Sequence, residues 1–87
     1  MPDVTIYTTG FCPFCHHAKK LLESKGVAYD EIDVGMVPSA RKEMMQRTDG
    51  GYTVPQIFIG ERHIGGCDEL YALDRQLELD PLLTLDI

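Results

Sequence analysis

The chain has 87 residues, of which 44% are hydrophobic and 25% charged, and its formal net charge is -6 at pH 7. Such a length provides one hydrophobic core, so we expect a single domain over residues 1–87. The acidic balance argues against binding to nucleic acid and to anionic lipid, and no stretch reaches the roughly 18 apolar residues of a membrane span.

The cysteine count indicates the redox compartment. Three cysteines are an odd number, whereas a disulfide-stapled secreted domain of this size usually carries an even set. Met1-Pro2-Asp3 places an acid where a signal peptide has basic residues, and the apolar run that follows is too short for export. We therefore expect a cytoplasmic protein with a working pair of thiols.

The first part of the chain predicts a strand, a helix and a second strand. Val4–Thr8 is rich in β-forming residues and is typical of a buried strand. Residues 16–25 have helical periodicity and stop at Gly26, which suits a helix C-terminus. Residues 27–34 alternate well enough for a second strand, and a strand-helix-strand unit implies a parallel pair. The helix places four apolar residues on one face: Cys15, Ala18, Leu21 and Leu22.

A second helix and a hairpin follow. Residues 38–48 have helical spacing, with Ala40 and Met44 on one face. Residues 53–59 and 62–64 form two strands, because the Gly60-Glu61 pair between them suits a tight hairpin turn.

A third helix opens at Cys67, and its predicted buried stripe is Leu70, Leu73 and Leu77. Asp80-Pro81 is typical of an N-cap and first helical residue, here for a short tail at 82–85 that packs on the core. The order of elements is therefore β-α-β-α-β-β-α. One four-stranded mixed sheet with helices on both faces, an α/β fold, accounts for all of them.

Cys12-Pro13-Phe14-Cys15 stands at the junction of the first strand and the first helix. The first turn of a helix presents unpaired N–H groups and the positive end of the helix dipole, which favour a thiolate over a thiol. Cys12 is therefore the expected nucleophile, and Pro13 suits the first helical position. Cys15, one turn further on, can displace whatever Cys12 has captured.

The same spacing has two other interpretations. A zinc site needs about four ligands, and beyond the pair the chain offers His16, His17, His63 and Cys67, with no second Cys-x-x-Cys. Cys12-x-x-Cys15-His16 also matches the haem c attachment signature, but such a protein needs an export signal and a mostly helical shell. The strand-helix-strand context favours a redox pair over both.

Thr53-Val54-Pro55 interrupts a strand pattern with a proline. Because proline removes a hydrogen-bond donor from a sheet, one interpretation is an edge strand. The other is a cis Val54-Pro55 bond that leaves the backbone of Val54 free to pair with an extended peptide. The residues of this segment leave both interpretations open.

Gly65-Gly66-Cys67-Asp68 precedes the third helix. One interpretation is a glycine turn with an aspartate cap. The other is an anion site, in which the N–H groups of Cys67 and Asp68 receive a carboxylate while the Asp68 side chain meets a neighbouring ammonium. An α-amino acid carries these two charges side by side.

These three motifs, in this order and spacing, resemble the small bacterial dithiol glutaredoxins over essentially the whole chain. The resemblance implies a thioredoxin-like fold of the glutaredoxin type. It also implies an enzyme that reduces protein disulfides and glutathione mixed disulfides, with glutathione as reductant and no metal. The implied partners are glutathione and disulfide-containing or glutathionylated proteins, ribonucleotide reductase among them, and the implied state is a monomer.

The resemblance further implies residue roles. Cys12 would attack the mixed disulfide and hold glutathione transiently, and Cys15 would resolve a protein-bound disulfide. Phe14 would border the glutathione groove. The remaining implied glutathione contacts are Thr53, Val54 and Pro55 on the cysteinyl backbone and Gly66, Cys67 and Asp68 on the γ-glutamyl end.

The chain departs from the family pattern in two places. Thr9 and the pair Gly51-Tyr52 stand where many members have cations that can pair with the glycyl carboxylate of glutathione or with the Cys12 thiolate. We therefore predict weaker glutathione binding and a thiolate stabilised mainly by the helix terminus. Two rival functions stay open: a redoxin fed by thioredoxin reductase, and a [2Fe-2S] carrier, which Pro13 disfavours because cluster-binding relatives have a small residue there.

The third cysteine and two histidines have simpler explanations. We expect Cys67 to be a small residue that fits a close backbone approach rather than a reactive thiol. His16 and His17 are expected to face solvent.

Overall fold

The computed structural model describes residues 3–84, and within them four strands and four helices form one layered structure. Across the sheet the strands lie in the order β2-β1-β3-β4, with β1 parallel to β2 and the other neighbours antiparallel. This confirms the predicted mixed sheet and the predicted order, to which a fourth helix is added. The elements are β1 Val4–Thr8, α1 Pro13–Ser24, β2 Asp30–Asp33, α2 Pro38–Arg47, β3 Gln56–Ile59, β4 Arg62–Gly65, α3 Cys67–Arg75 and α4 Leu79–Thr84.

Alternation along the central strands gives the sheet two apolar faces. On one face Ile6 and Ile57 pack with α1, α3 and α4. On the other face Tyr7 and Phe58 pack against Met44 of α2, and the two rings meet edge to face with centroids 6.0 Å apart. Helices therefore cover both faces of the sheet, as predicted.

Two strands are shorter than the sequence pattern suggests. The predicted strand at 27–34 is observed only as Asp30–Asp33, at the edge of the sheet beside β1. The predicted strand at 53–59 is paired over Gln56–Ile59 and is preceded by a cis Val54-Pro55 bond. The edge-strand interpretation of Pro55 is wrong, since β3 lies between β1 and β4 and the proline precedes the paired residues.

The end of α3 differs from the prediction. The expectation that Leu77 is buried is wrong: α3 ends at Arg75, and Leu77 has φ +61 and a side chain that is 83% exposed. The backbone turns there to start α4 at Leu79, so Asp80 lies in the first turn of that helix rather than at its N-cap. Leu83 packs on the core as expected, and position 85 lies outside the described residues.

The two helices that begin beside each other, α1 and α3, are tied together near both ends. The hydroxyl of Tyr71 donates to the carbonyl oxygen of His17 at 3.1 Å. At the other end of α1, Nζ of Lys25 lies 2.6 Å from Asp74 and 2.9 Å from Asp80. No helix between residues 3 and 84 has the length and apolarity that crossing a bilayer requires.

Candidate active site

Cys12 is the N-cap of α1, and Pro13 follows in the first turn. Its backbone is extended, with φ -132 and ψ 100, and its sulfur accepts the backbone N–H of Cys15 at 3.1 Å. A sulfur anion gains more from this bond than a neutral thiol does, because charge strengthens the hydrogen bond. The sulfur of Cys12 is also 3.8 Å from the carbonyl oxygen of Val54, to which a thiol form donates.

Cys15 lies behind the nucleophile with an exposed fraction of 1%. Burial, followed by the hydrogen bond with Cys12, raises the pKa of Cys15 to about 12, while the backbone of Thr9 acts in the opposite direction. Two of the causes that raise this pKa come from Cys12, its hydrogen bond and its charge. Converting Cys12 into a disulfide removes both, so the second thiol becomes easier to ionise when the first has captured a substrate.

A cleft of about 190 Å³ opens beside Cys12. It brings together every other residue for which the family resemblance implies glutathione contact, and Cys12 joins them through its contact with Val54. Two further residues line the cleft that the sequence analysis did not single out, Gln56 and Glu69. The lining residues are Phe14, Thr53, Val54, Pro55, Gln56, Gly66, Cys67, Asp68 and Glu69.

One wall of the cleft is the segment Thr53-Val54-Pro55, with its cis bond before Pro55. Because this segment precedes β3, the backbone of Val54 has no partner in the strand ladder. Gln56 holds the segment from behind, since its Nε2 donates to the carbonyl oxygen of Thr53 at 3.0 Å. The predicted cis Val54-Pro55 bond is confirmed, and pairing of the Val54 backbone with an extended peptide stays a prediction.

The opposite wall is the start of α3. Gly66 is the N-cap, and its N–H donates to the carboxylate of Glu69 at 2.9 Å. Asp68 therefore lies inside the first turn and is not the cap, and its side chain is exposed. A Cβ on Gly66 would lie 3.4 Å from the carbonyl oxygen of Pro55, in van der Waals contact, so the two walls approach each other closely here.

The first turn of α3 is also suited to an anion. The N–H groups that open a helix have no partner within it and lie at the positive end of its dipole. Cys67 and Asp68 supply two of these groups at the edge of the cleft. The carboxylate of Asp68 adds a site for a cation beside them.

The third cysteine is not placed as a second nucleophile. Cys67 is buried, with 8% exposed, and burial, followed by the charges of Asp68 and Cys12, raises the pKa of its thiol. His16 and His17 are exposed as expected. In the part of the chain from 3 to 84, no three His, Cys, Asp or Glu side chains lie close enough together to hold a metal ion.

Three aromatic side chains that belong to the candidate site or adjoin it in sequence are exposed, and one cation contacts the backbone of one of them. Phe14 is 61% exposed, Phe11 next to Cys12 is fully exposed, and Tyr52 next to Thr53 is 68% exposed. Arg41 of α2 donates to the carbonyl oxygen of Tyr52 at 3.3 Å. Residues 51–52 stand where the family pattern has a cation, and in this fold Arg41 of α2 places a positive charge near them.

Comparison with known proteins gives consistent matches. Residues 4–64 match the family model described as glutaredoxin. The chain is 55% identical to glutaredoxin 3 of Escherichia coli over 83 residues, which is 95% of this chain and 99% of that protein. It is 52% identical to a glutaredoxin of Pseudomonas aeruginosa over 84 residues, which is 97% of this chain and 99% of that protein.

Solved structures agree with these matches. The fold is similar to that of a buckwheat glutaredoxin in complex with glutathione, with a TM-score of 0.86 and 32% identity, covering 95% of this chain and 77% of that one. It is also similar to a glutaredoxin from Brucella melitensis, with a TM-score of 0.82 and 52% identity, covering 95% and 89% of the two chains.

Proposed function

Because the chain belongs to the glutaredoxin family and is a thiol-disulfide oxidoreductase acting through Cys12 and Cys15, we propose that glutathione is its reductant. The proposed site is the cleft between the segment at 53–55 and the start of α3. The observation that supports it best is the position of the Cys12 sulfur at one end of a cleft that has an unpaired backbone edge and a helix N-terminus.

The cysteinyl backbone and the γ-glutamyl end of glutathione each have proposed partners. The extended cysteinyl backbone pairs with Val54, in the manner of an added strand. The γ-glutamyl carboxylate meets the N–H groups of Cys67 and Asp68, and the adjacent ammonium meets the carboxylate of Asp68. Phe14 borders the groove with an exposed ring, and Arg41 supplies positive charge near Tyr52.

Removal of glutathione from a protein takes two exchanges. The thiolate of Cys12 attacks the sulfur of the bound glutathione, a Cys12-glutathione disulfide forms, and the protein leaves as a thiolate that takes a proton from water. A second glutathione thiolate then attacks the glutathione sulfur and releases Cys12. One free glutathione is oxidised for each protein thiol restored, because the other half of the glutathione disulfide comes from the mixed disulfide itself. The cleft contributes mainly by aligning the sulfur atoms.

Reduction of a protein disulfide uses Cys15 as well. Cys12 attacks one substrate sulfur, and the mixed disulfide so formed is attacked at the Cys12 sulfur by Cys15, whose proton passes to the departing substrate thiolate through solvent. The Cys12-Cys15 disulfide is then reduced by two glutathiones in succession. Loss of the Cys12 charge in the mixed disulfide favours ionisation of Cys15 at the step that needs it.

The setting of this activity is also part of the proposal. We propose a monomer that works in the cytoplasm, with disulfide-bonded or glutathionylated proteins as substrates and ribonucleotide reductase among them. All three cysteines are free, which suits a reducing compartment. The rings of Phe11, Phe14 and Tyr52, which belong to the candidate site or adjoin it in sequence, are exposed and offer apolar contact to a protein substrate.

The test is the choice of electron donor. Turnover of a glutathionylated peptide is measured with NADPH and either glutathione plus glutathione reductase or thioredoxin reductase alone. We expect turnover with the first system and none above background with the second. Asp68→Asn should raise KM for the peptide about 10-fold, and the exposed Glu61→Gln change should leave it unaltered. Turnover supported only by thioredoxin reductase would overturn the proposal.

A further inference from the structure

Gln56, the first residue of β3, has a buried amide that connects two parts of the fold. The residue is 6% exposed. Its Nε2 donates to the carbonyl oxygen of Thr53 at 3.0 Å and lies 3.2 Å from the hydroxyl of the same residue. Its Oε1 lies 2.7 Å from Nε2 of His63 on β4. A chain of hydrogen bonds therefore runs from β4 to the wall of the cleft.

The chemistry of these groups fixes which atoms donate. The carbonyl oxygen of Thr53 only accepts, so the amide nitrogen of Gln56 must face it and the amide oxygen must face His63. Because an amide oxygen also only accepts, Nε2 of His63 carries a proton. Without that donor the amide oxygen of Gln56 loses its partner, and the amide is held only by its bonds to Thr53.

The imidazole of His63 is itself held in place. Its ring stacks on Phe58, with centroids 4.9 Å apart and planes inclined by 26°. Phe58 is buried in the sheet, and the guanidinium carbon of Arg47 lies 3.9 Å from the centroid of its ring. The donor at Nε2 thus has a defined position, although the histidine is on the protein surface.

The segment that Gln56 holds includes the proposed peptide edge. The carbonyl group of Thr53 and the N–H of Val54 belong to one planar peptide unit, and in its trans form the two groups point in opposite directions. When Gln56 draws the carbonyl oxygen toward itself, it turns the N–H of Val54 away. An extended ligand that pairs with Val54 needs that N–H in a fixed direction.

We infer that His63 and Gln56 are positioning residues that set the orientation of the Thr53-Val54 peptide unit for glutathione. The inference rests on the proposed glutathione site. Neither residue takes part in sulfur exchange. Their effect is on the alignment of the tripeptide, so it appears in KM for a glutathionylated substrate and leaves the intrinsic reactivity of Cys12 unchanged.

Three variants distinguish the effect of the His63 N–H donor and the Gln56 amide from the effect of the His63 ring. His63→Phe keeps a flat ring against Phe58 and removes the N–H, whereas His63→Gln restores a donor. Gln56→Glu keeps an acceptor for His63 and removes the donor to Thr53. We expect His63→Phe and Gln56→Glu to raise KM about 3- to 10-fold with kcat within about 2-fold of the wild type, and His63→Gln to recover most of the loss. The exposed neighbour Arg62, changed to Gln, is the control.

Two further measurements support the kinetics. Reaction of Cys12 with dithiodipyridine, which contains no glutathione, should be unchanged in each variant. In the Cys15→Ser background the Cys12-glutathione disulfide can be isolated, and the amide proton of Val54 is followed by NMR as it forms. We expect the Val54 amide proton to shift downfield in the protein that has native His63 and Gln56, and to shift clearly less in the Gln56→Glu variant.

The outcomes distinguish this inference from the proposed function. If the native protein neither turns over a glutathionylated peptide nor shifts the Val54 amide, the glutathione site itself is wrong. If the native protein does both and His63→Phe and Gln56→Glu match it, the positioning role is wrong. Equal loss in His63→Gln and His63→Phe would also overturn it. If His63→Phe fails to fold, Gln56→Glu tests the same chain of hydrogen bonds at its Thr53 end.

Discussion

The backbone N–H of Cys15 donates to the sulfur of Cys12 at 3.1 Å, so the resolving residue supports the nucleophile with its main chain. Its side chain has a separate task and lies buried behind that sulfur. A substitution of the Cys15 side chain therefore removes the resolving thiol and leaves the backbone N–H that donates to Cys12 in place.

The first prediction follows from this separation. Cys15→Ser should keep at least about half of the rate of peptide deglutathionylation, because the N–H donor and the helix terminus remain. It should lose reduction of a protein disulfide that requires both thiols. Cys12→Ser should lower both activities to background. The two activities are measured side by side with glutathione and its reductase, and equal loss of both in Cys15→Ser would contradict the prediction.

The second prediction concerns the order of thiol reactivity. Burial and the hydrogen bond with Cys12 raise the pKa of Cys15 to about 12 from an ordinary value of 9.0, so very little of this thiol is ionised at neutral pH. Burial also raises the pKa of the Cys67 thiol. Brief treatment with iodoacetamide at pH 7 should therefore label Cys12 and spare the other two.

The experiment has its own controls. Mass mapping after labelling gives the site, and labelling in denaturant shows that all three thiols are available once the chain unfolds. The native Cys12→Ser protein should remain essentially unlabelled over the same time. Rapid labelling of Cys67 in that variant would show that the third cysteine is reactive after all.

Local signals in the sequence predict the part of the site that depends on neighbours along the chain. Pro13 and the helical spacing after it place Cys12 at the first turn of α1, and the structure confirms this. The hairpin turn at Gly60 is also predicted by a local signal, because the φ of +61 at this residue suits glycine. The family resemblance carried by the three motifs implies which residues meet glutathione, and the structure places these residues around one cleft, with Cys12 in contact with Val54.

What the sequence could not supply depends on contacts between distant segments. The role of Pro55 required the order of strands, because only a central β3 excludes an edge position. The link from His63 to Gln56 requires the β3-β4 register, which includes a shift between Ile57 and Phe58. Helical periodicity continues through Leu77, although the chain turns there to dock α4.

The third prediction concerns acid stability. The carboxylate of Glu31 on β2 receives the hydroxyl of Thr8 at 2.8 Å and lies 3.0 Å from Nζ of Lys19 on α1. The bond to Lys19, followed by that to Thr8, holds the pKa of Glu31 below its ordinary value of 4.5. A lowered folded-state pKa stabilises the protein above the unfolded value, and this contribution is lost as pH falls through the folded value.

Glu31→Gln should therefore reduce the free energy of unfolding at pH 7 by about 1 kcal/mol, a small cost because the carboxylate is partly exposed to solvent. Urea unfolding of both proteins, repeated from pH 7 down toward pH 3, should show the difference narrowing below about 4.5. Glu61→Gln in the exposed hairpin serves as the control. A difference that stays constant over this range would show that the charge of Glu31 is not its cause.

The fourth prediction restores a cation that the family pattern leads us to expect beside the nucleophile. Thr9 lies between β1 and α1, and its side chain packs near Gly35. A Cβ added to Gly35 would lie 3.6 Å from the Thr9 methyl group. The long flexible stem of a lysine can extend from this site into solvent toward the thiol and the proposed glutathione groove. Because the pairing is exposed to water, we expect Thr9→Lys to lower KM for a glutathionylated peptide by only about 2- to 5-fold.

The matched control for this change is Ser24→Lys, which adds the same charge at the far end of α1. It should leave KM unchanged if the effect of Thr9→Lys comes from proximity and not from net charge. The gain at position 9 should shrink as the salt concentration rises from 0.01 M to 0.5 M, since screening shortens the range of the interaction. An unchanged or higher KM in Thr9→Lys at low salt would mean that the cation missing at this position does not limit glutathione binding. Arg41, which already reaches the Tyr52 carbonyl, would then be the charge to remove next.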